Sequence, residues 1–208
     1  MRPVALAVTT IALLALTACG NNEPADDREP AAAPSSDQPF ADTPAPDEPQ
    51  TAEYEFGDTA ETTGSMGAGT LAVTPTTVVY ANTATGETPD NDLYAVIVYK
   101  AEATGGTVSE AAPIEGGGWK WITPEGQALD WQSGNTDGVA PPGYGSGGDI
   151  VGGTFELYTE AFDLAEGWNG DGAKLVYIDG NGATHTWTDI PTEDSGPEVE
   201  KLKAGLGQ

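Results

Sequence analysis

Between residues 53 and 192 the apolar residues arrive in short runs separated by glycine-rich stretches, and none of these runs keeps a helical period over ten or more positions. A helix needs apolar residues near every third or fourth position to bury one face, whereas short continuous or alternating runs suit strands. The runs are therefore read as strands at 70–73 and 77–80, then at 93–101, 119–122, 129–131, 154–162, 174–178 and 184–188. The stretch from Leu93 to Tyr99 is almost wholly apolar, as a central strand covered on both faces would be. Residues 154–162 alternate, with Phe155 and Leu157 on one face and Glu156 and Tyr158 on the other. Asp179, Gly180, Asn181 and Gly182 lie between two runs and suit a hairpin turn, since these residues tolerate positive φ. Pro124, Glu125 and Gly126 mark a second turn. About 140 residues are enough for one domain with a sizeable core, and many short strands with glycine-rich connections predict an all-β, two-sheet sandwich.

What precedes this domain has a different character. Arg2 is followed by an apolar run from Val4 to Leu16, broken only by two threonines, and then by Thr17, Ala18 and Cys19. As a helix the run would be about 20 Å long, too short for a hydrocarbon core of about 30 Å, so residues 1–18 are read as a secretory signal. Leu16, Ala18 and Cys19, with Gly20 after them, resemble the lipobox, whose cysteine becomes lipidated. That resemblance implies a diacylglyceryl thioether on Cys19, and two acyl chains anchor a protein stably where one does not. The expected location is the outer face of a bacterial cytoplasmic membrane, with membrane lipid as the partner of Cys19. Cys19 is the only cysteine, so no disulfide can form within the chain.

Residues 19–52 continue as a tether. They hold Pro24, Pro30, Pro34, Pro39, Pro44, Pro46 and Pro49 among alanines and acids, with Phe40 as the one aromatic before Tyr54. Such a segment buries too little apolar surface to offset its ordering entropy, and an extended spacer of roughly 100 Å at most is expected. The layout is thus a signal at 1–18, the lipidated cysteine and disordered linker at 19–52, a sandwich at 53–192 and a polar C-terminal tail at 193–208.

The order of motifs along the domain adds a resemblance. Tyr54-Glu55-Phe56-Gly57-Asp58-Thr59 opens it, followed by Leu71-Ala72-Val73-Thr74, the long run from Leu93, and Trp121-Ile122-Thr123-Pro124-Glu125-Gly126-Gln127. Gly147-Gly148-Asp149-Ile150-Val151-Gly152-Gly153-Thr154 then leads to Phe162-Asp163-Leu164, and Leu175-Val176-Tyr177 precedes Trp187. This pattern resembles the immunoglobulin-like domains of unknown function carried by many Gram-positive, especially actinobacterial, lipoproteins. The resemblance implies an immunoglobulin-like β-sandwich at the cell surface and supplies no catalytic residues. The Gly- and Pro-rich insert at 133–148 departs from it and is expected to be a long mobile loop.

Charge narrows the function. Against 33 Asp and Glu stand 7 Lys and Arg, a formal net charge of −26. Nucleic-acid binding needs cationic side chains to displace counterions from phosphates, so no nucleic-acid partner is expected. The charge is read first as keeping the chain soluble and off neighbouring anionic surfaces, with no cofactor expected; the chemically specific alternative is attraction of Ca²⁺ or Mg²⁺, with Asp171, Asp179 and Asn181 in two glycine-rich loops as candidate ligands. Neither loop has EF-hand spacing, and turn chemistry explains both without a metal. His185, the sole histidine, shares a strand face with Trp187 and is read as a strand residue with a backbone or solvent partner, since no nucleophile signature accompanies it. Glu156 and Glu160 lie on one strand face roughly 13 Å apart, too far for direct paired carboxylate chemistry. No catalytic residue is assigned.

The tryptophans offer the best ligand contacts. Trp119 and Trp121 alternate around Lys120 and share a face, Trp131 can lie across the turn from them, and Trp168 sits in a glycine-rich loop. Buried, they fill the core; exposed, they would stack on sugars or anchor a protein. The expectation is a non-enzymatic, membrane-anchored protein that binds an envelope protein or glycan. The alternatives are a module for a small ligand or divalent cation, and a wall-glycan hydrolase with two converging acids in a cleft.

Overall fold

The structure is a computed structural model that describes residues 51–109 and 115–208. The signal region, Cys19 and nearly all of the expected tether lie outside the described residues. The strands are β1 (Thr51–Glu55), β2 (Ala60–Thr63), β3 (Thr70–Ala81), β4 (Leu93–Ala103), β5 (Val108–Ser109) and β6 (Gly118–Ile122). They continue as β7 (Ala128–Asp130), β8 (Asp149–Ile150), β9 (Phe155–Leu164), β10 (Lys174–Ile178) and β11 (Thr184–Thr188), before helix α1 (Val199–Leu206).

One sheet has the order β1-β11-β10-β6-β7 and the other β2-β3-β4-β9, with β5 and β8 forming a small separate ladder. The two larger sheets pack face to face, so the chain is an all-β, two-sheet sandwich. Its core holds Trp119, Trp121, Leu175, Tyr177 and Trp187 from the first sheet. Leu71, Val73, Ile97, Tyr99 and Phe162 come from the second.

The apolar run of β4 has the reason the sequence suggested. Ala95, Ile97 and Tyr99 face the sandwich core, while Tyr94, Val96 and Val98 face a second apolar cluster on the far side of the same sheet. Because successive strand residues point to opposite faces, a strand buried on both must be apolar throughout. The far side is covered by Leu202 and Leu206 of α1, together with Val139 and Tyr144. The segment at 193–208 is therefore a docked element and not the polar tail expected. Its helix is short, and the two leucines four residues apart are enough to mark one buried stripe. Burying each stabilises the fold by about 1.5–3 kcal/mol. Gly207, with φ 82°, ends the helix in the left-handed region and donates to the carbonyls of Ala204 and Lys203.

The two runs read at 70–73 and 77–80 are one strand, β3. β2 pairs only with residues 70–73, and the ladder to β4 shifts register between Pro75 and Thr77. The missing N–H of proline thus falls at a bulge, where a strand tolerates it. β1 was not read as a strand; it extends the folded region back to Thr51 by pairing in parallel with β11. The insert at 133–148 is also ordered by contacts, contrary to a mobile loop. Asp163, 2% exposed, accepts from the backbone N–H groups of Asp90, Asn91 and Asn135 at 2.7, 3.0 and 3.0 Å. Tyr94 donates to the Asn135 carbonyl at 2.6 Å, and Gly145 N–H donates to Leu157 of β9 at 2.7 Å. Among the described residues no helix is long and apolar enough to cross a membrane.

Candidate functional site

Where the insert folds back across the sandwich it encloses a cleft of about 850 Å³. That volume lies within the range of small-molecule sites. Trp119 and Tyr99 form its inner wall, Trp131 and Tyr144 stand on the insert side, and Tyr158 and Glu160 come from β9. Each position has a local cause. Trp119 and Trp121 flank Lys120 on β6, so both rings enter the core; they are 1% and 0% exposed. Trp119 lies at the edge of that core, with ring centroids 4.9 Å from Tyr99 and 5.1 Å from Tyr177. Trp131 follows the last residue of β7, and its carbonyl accepts from the Thr136 hydroxyl at 2.8 Å, which turns the chain back over the cleft. Gly145 belongs where it is because a Cβ there would lie 2.5 Å from the Tyr158 ring and 2.8 Å from the Glu156 carboxylate.

Helix α1 supports the outer wall. Glu198, which precedes it, pairs with Lys201 at 3.1 Å, and Lys201 Nζ lies 4.2 Å from the Tyr144 ring centre. Burial and the neighbouring Glu198 carboxylate push the Tyr144 hydroxyl up to about 12, so it remains a neutral phenol. The described lining includes the carboxylates Asp137 and Glu160 and no Lys, Arg or His. The indole N–H of Trp119 is buried and meets no acceptor among the described residues.

The four predicted tryptophans therefore separate. Trp119 and Trp131 come together at the cleft, whereas Trp121 is wholly inside the core. Trp168 packs partly against that core, and its carbonyl accepts from Trp121 Nε1 at 2.9 Å. It does not line the cleft. Tyr144, Tyr158, Glu160 and Asp137 were not singled out from sequence as members of one site. The available signal was Tyr144 itself, an aromatic ring alone in a Gly- and Pro-rich insert, which is soluble in such a place only if it covers something.

The candidate cation ligands do not converge. Asp171 and Asn181 are exposed and Asp179 is buried. Among the described residues no three His, Cys, Asp or Glu side chains are grouped to hold a metal. The Asp179 carboxylate is occupied by its own surroundings. One oxygen accepts from Asn181 and Ala183 N–H at 2.9 Å each, the other from Thr63 N–H at 3.0 Å and the Thr63 hydroxyl at 2.7 Å. Burial by itself would raise its pKa, but these hydrogen bonds outweigh burial and hold the carboxyl below the usual range. His185 Nε2 lies 3.4 Å from the same carboxylate, so the partner of this histidine is Asp179 and not backbone or solvent.

Together the fold and the cleft define a β-sandwich with a lateral, aromatic-walled cavity. No family model and no curated protein matches the chain. Among solved structures it is similar to the secreted protein MPT63 of Mycobacterium tuberculosis, at 16% identity and a TM-score of 0.49, over 66% of this chain and 97% of that one. It is also similar to the yjhA protein of Bacillus subtilis, at 16% identity and a TM-score of 0.37, over 60% and 81% of the two chains.

Proposed function

We propose that this chain is an exported, non-enzymatic binding module, held to the outer face of a bacterial cytoplasmic membrane through Cys19, that takes a small ligand in the cleft between β9 and the 133–148 insert. The observation that carries the reading is the cavity itself: about 850 Å³, with Trp119, Trp131, Tyr99, Tyr144 and Tyr158 among its lining. Concave sites of this size with apolar walls and a few polar groups suit small molecules, whereas protein partners more often dock on flatter surfaces. Binding is favoured over glycan hydrolysis by the setting of the acids. A general acid must be kept protonated near neutral pH by burial, but Asp137 is exposed. Export and anchoring rest on the signal-like run before Cys19 and on the resemblance to actinobacterial lipoproteins that carry immunoglobulin-like domains.

Two measurements test this reading. Fragments soaked into crystals of residues 51–208 are expected to occupy the space beside Trp131, and Trp131→Ala is expected to weaken those fragments by about tenfold or more. Fragments that bind elsewhere, or equal affinity in the variant, would reject the cleft; cleavage of wall glycan by the wild-type protein would replace binding with catalysis. For the anchor, cells fed an alkyne-tagged fatty acid should label the wild-type protein, and Cys19→Ser should lose the label and leave the membrane fraction. Retention of label in Cys19→Ser would remove the anchor.

A further inference from the structure

The composition of the cleft says more than its volume. Among the described lining residues Asp137 and Glu160 are acidic and none is basic. Glu156 adds a third carboxylate next to Gly145 at the margin. The whole chain carries a net charge of −26, so the surrounding potential concentrates cations and repels anions. An anionic ligand would meet no basic side chain among the described lining residues.

The cation these walls suit is organic. Ca²⁺ and Mg²⁺ take six or more oxygen ligands, and no cluster of three metal-binding side chains exists among the described residues. The cleft instead offers the half-buried aromatic ring of Trp131, with Val139, Pro141 and Ala161 as apolar lining. Aromatic faces attract alkylammonium groups through the ring quadrupole, and the attraction grows when water is excluded. Such groups are weakly hydrated and pack against aliphatic side chains where a metal ion cannot. The Tyr144 ring already illustrates the contact, since Lys201 Nζ lies 4.2 Å from its centre. A second, independent feature is the indole N–H of Trp119, which has no partner among the described residues; Trp119 is 1% exposed and lines the same cavity. Buried donors are nearly always paired in native proteins, so a bound molecule with an acceptor oxygen would complete this one.

We propose that the ligand class of this cleft is an amphipathic organic cation: an alkylammonium group on a ring-sized apolar body bearing a hydrogen-bond acceptor, with the exposed Asp137 supplying the counter-charge. The proposal rests on the binding reading above and gives that site its chemistry. The cation would sit between Asp137 and the Trp131 ring, its apolar body against the aliphatic wall.

The test is a titration of tryptophan fluorescence in the protein of residues 20–208 with three probes: benzyltrimethylammonium, uncharged benzyl alcohol and the disaccharide cellobiose. Benzyltrimethylammonium is expected to bind about tenfold more tightly than benzyl alcohol and to weaken in salt of about 1 M, where the screening length is about 3 Å. Asp137→Asn is expected to weaken the cation about fivefold and leave benzyl alcohol unchanged, consistent with a screened charge pair near the surface. Asp137 is exposed, so the replacement leaves the core intact. Equal binding of the cation and the alcohol, with both weakened by Trp131→Ala, would overturn the charge preference and keep the cleft. An unaltered cation affinity in Asp137→Asn, or binding of cellobiose alone, would overturn the cation assignment as well. Failure of all three probes to bind would count against the cleft and the cation together.

Discussion

Trp121→Ala is expected to unfold this domain or leave it barely stable, with the midpoint of urea denaturation shifted far toward zero and the near-ultraviolet circular dichroism lost. Trp121 is 0% exposed and sits between the sheets, its ring centre 5.7 Å from Phe162 of the opposite sheet and 6.5 Å from Tyr80. Truncating a buried tryptophan removes its transfer free energy and leaves a cavity, which together cost about 3–5 kcal/mol. The change also removes the indole donor from the Trp168 carbonyl, which anchors the loop after β9. Domains have about 5–15 kcal/mol of stability in total, so from about a fifth to all of it would go. The result also separates structure from recognition. A Trp121→Ala protein with wild-type stability and lost ligand binding would return this residue to the binding set.

Asp179→Ala is expected to be the other strongly destabilising change, and it alters the pH dependence of stability too. The Asp179 carboxylate closes the β10–β11 turn through Asn181 and Ala183, and reaches across to Thr63 at the end of β2 in the other sheet. The Gly180 N–H strengthens the same junction by donating to the Thr63 carbonyl at 3.1 Å. A side chain at Gly180 would overlap the Gly64 carbonyl, so the turn and the second sheet meet at backbone distance. Removing the carboxylate leaves several donors of this junction without an acceptor, each costing about 1–3 kcal/mol when buried. Because such losses are not additive, the total is expected to be about 3–5 kcal/mol by denaturant titration.

The sign of the pH effect follows from the direction of the shift. The folded state holds Asp179 below its ordinary value, so the unfolded chain takes up its proton first as pH falls. The stabilisation is complete above the ordinary aspartate range, near pH 4, and declines as pH drops through that value toward the lower folded one. Asp179→Asn is expected to be less stable than wild type at neutral pH, with a difference that shrinks below about pH 4. A constant difference from pH 7 down to pH 2 would show that the charge of Asp179 contributes nothing through its hydrogen bonds.

The strands that could be read from sequence are those whose side chains meet a single, repetitive environment. β10 and β11 coincide with the runs at 174–178 and 184–188 because their burial alternates and the intervening turn is built from Asp, Gly and Asn. β4 was legible for the opposite reason, being buried on both faces. β1 and β2 were missed because they are short and half exposed, and their pairing with β11 and β3 supplies what their own sequence lacks. Helix α1 was missed because eight residues with two buried leucines carry little periodic signal, and glycine, glutamate and lysine around them suggest solvent. The insert at 133–148 was misread by composition: Gly and Pro indicate where a chain can turn, but the hydrogen bonds from Asn135 and Gly145 decide whether it is held.

At the site, sequence was enough to select Trp119, Trp121, Trp131 and Trp168 as the side chains with most to offer a ligand, since aromatic type and strand alternation are local properties. It could not divide them. Whether a ring faces the core or a cavity depends on which distant segment covers it, and that segment for Trp119 and Trp131 is an insert whose closing contacts lie on β4 and β9. The sequence alone determined an all-β sandwich and an extreme negative charge, because these follow from period and composition, and it supplies the motif ending in Cys19 on which the proposed anchor rests. Only the tertiary structure decided that Trp121 is core, that Asp179 is a junction between sheets, and that Tyr144, Tyr158 and Glu160 meet Trp119 and Trp131 around one cavity. Those are relations between residues far apart in the chain, brought together by long-range strand pairing that no single window of sequence contains.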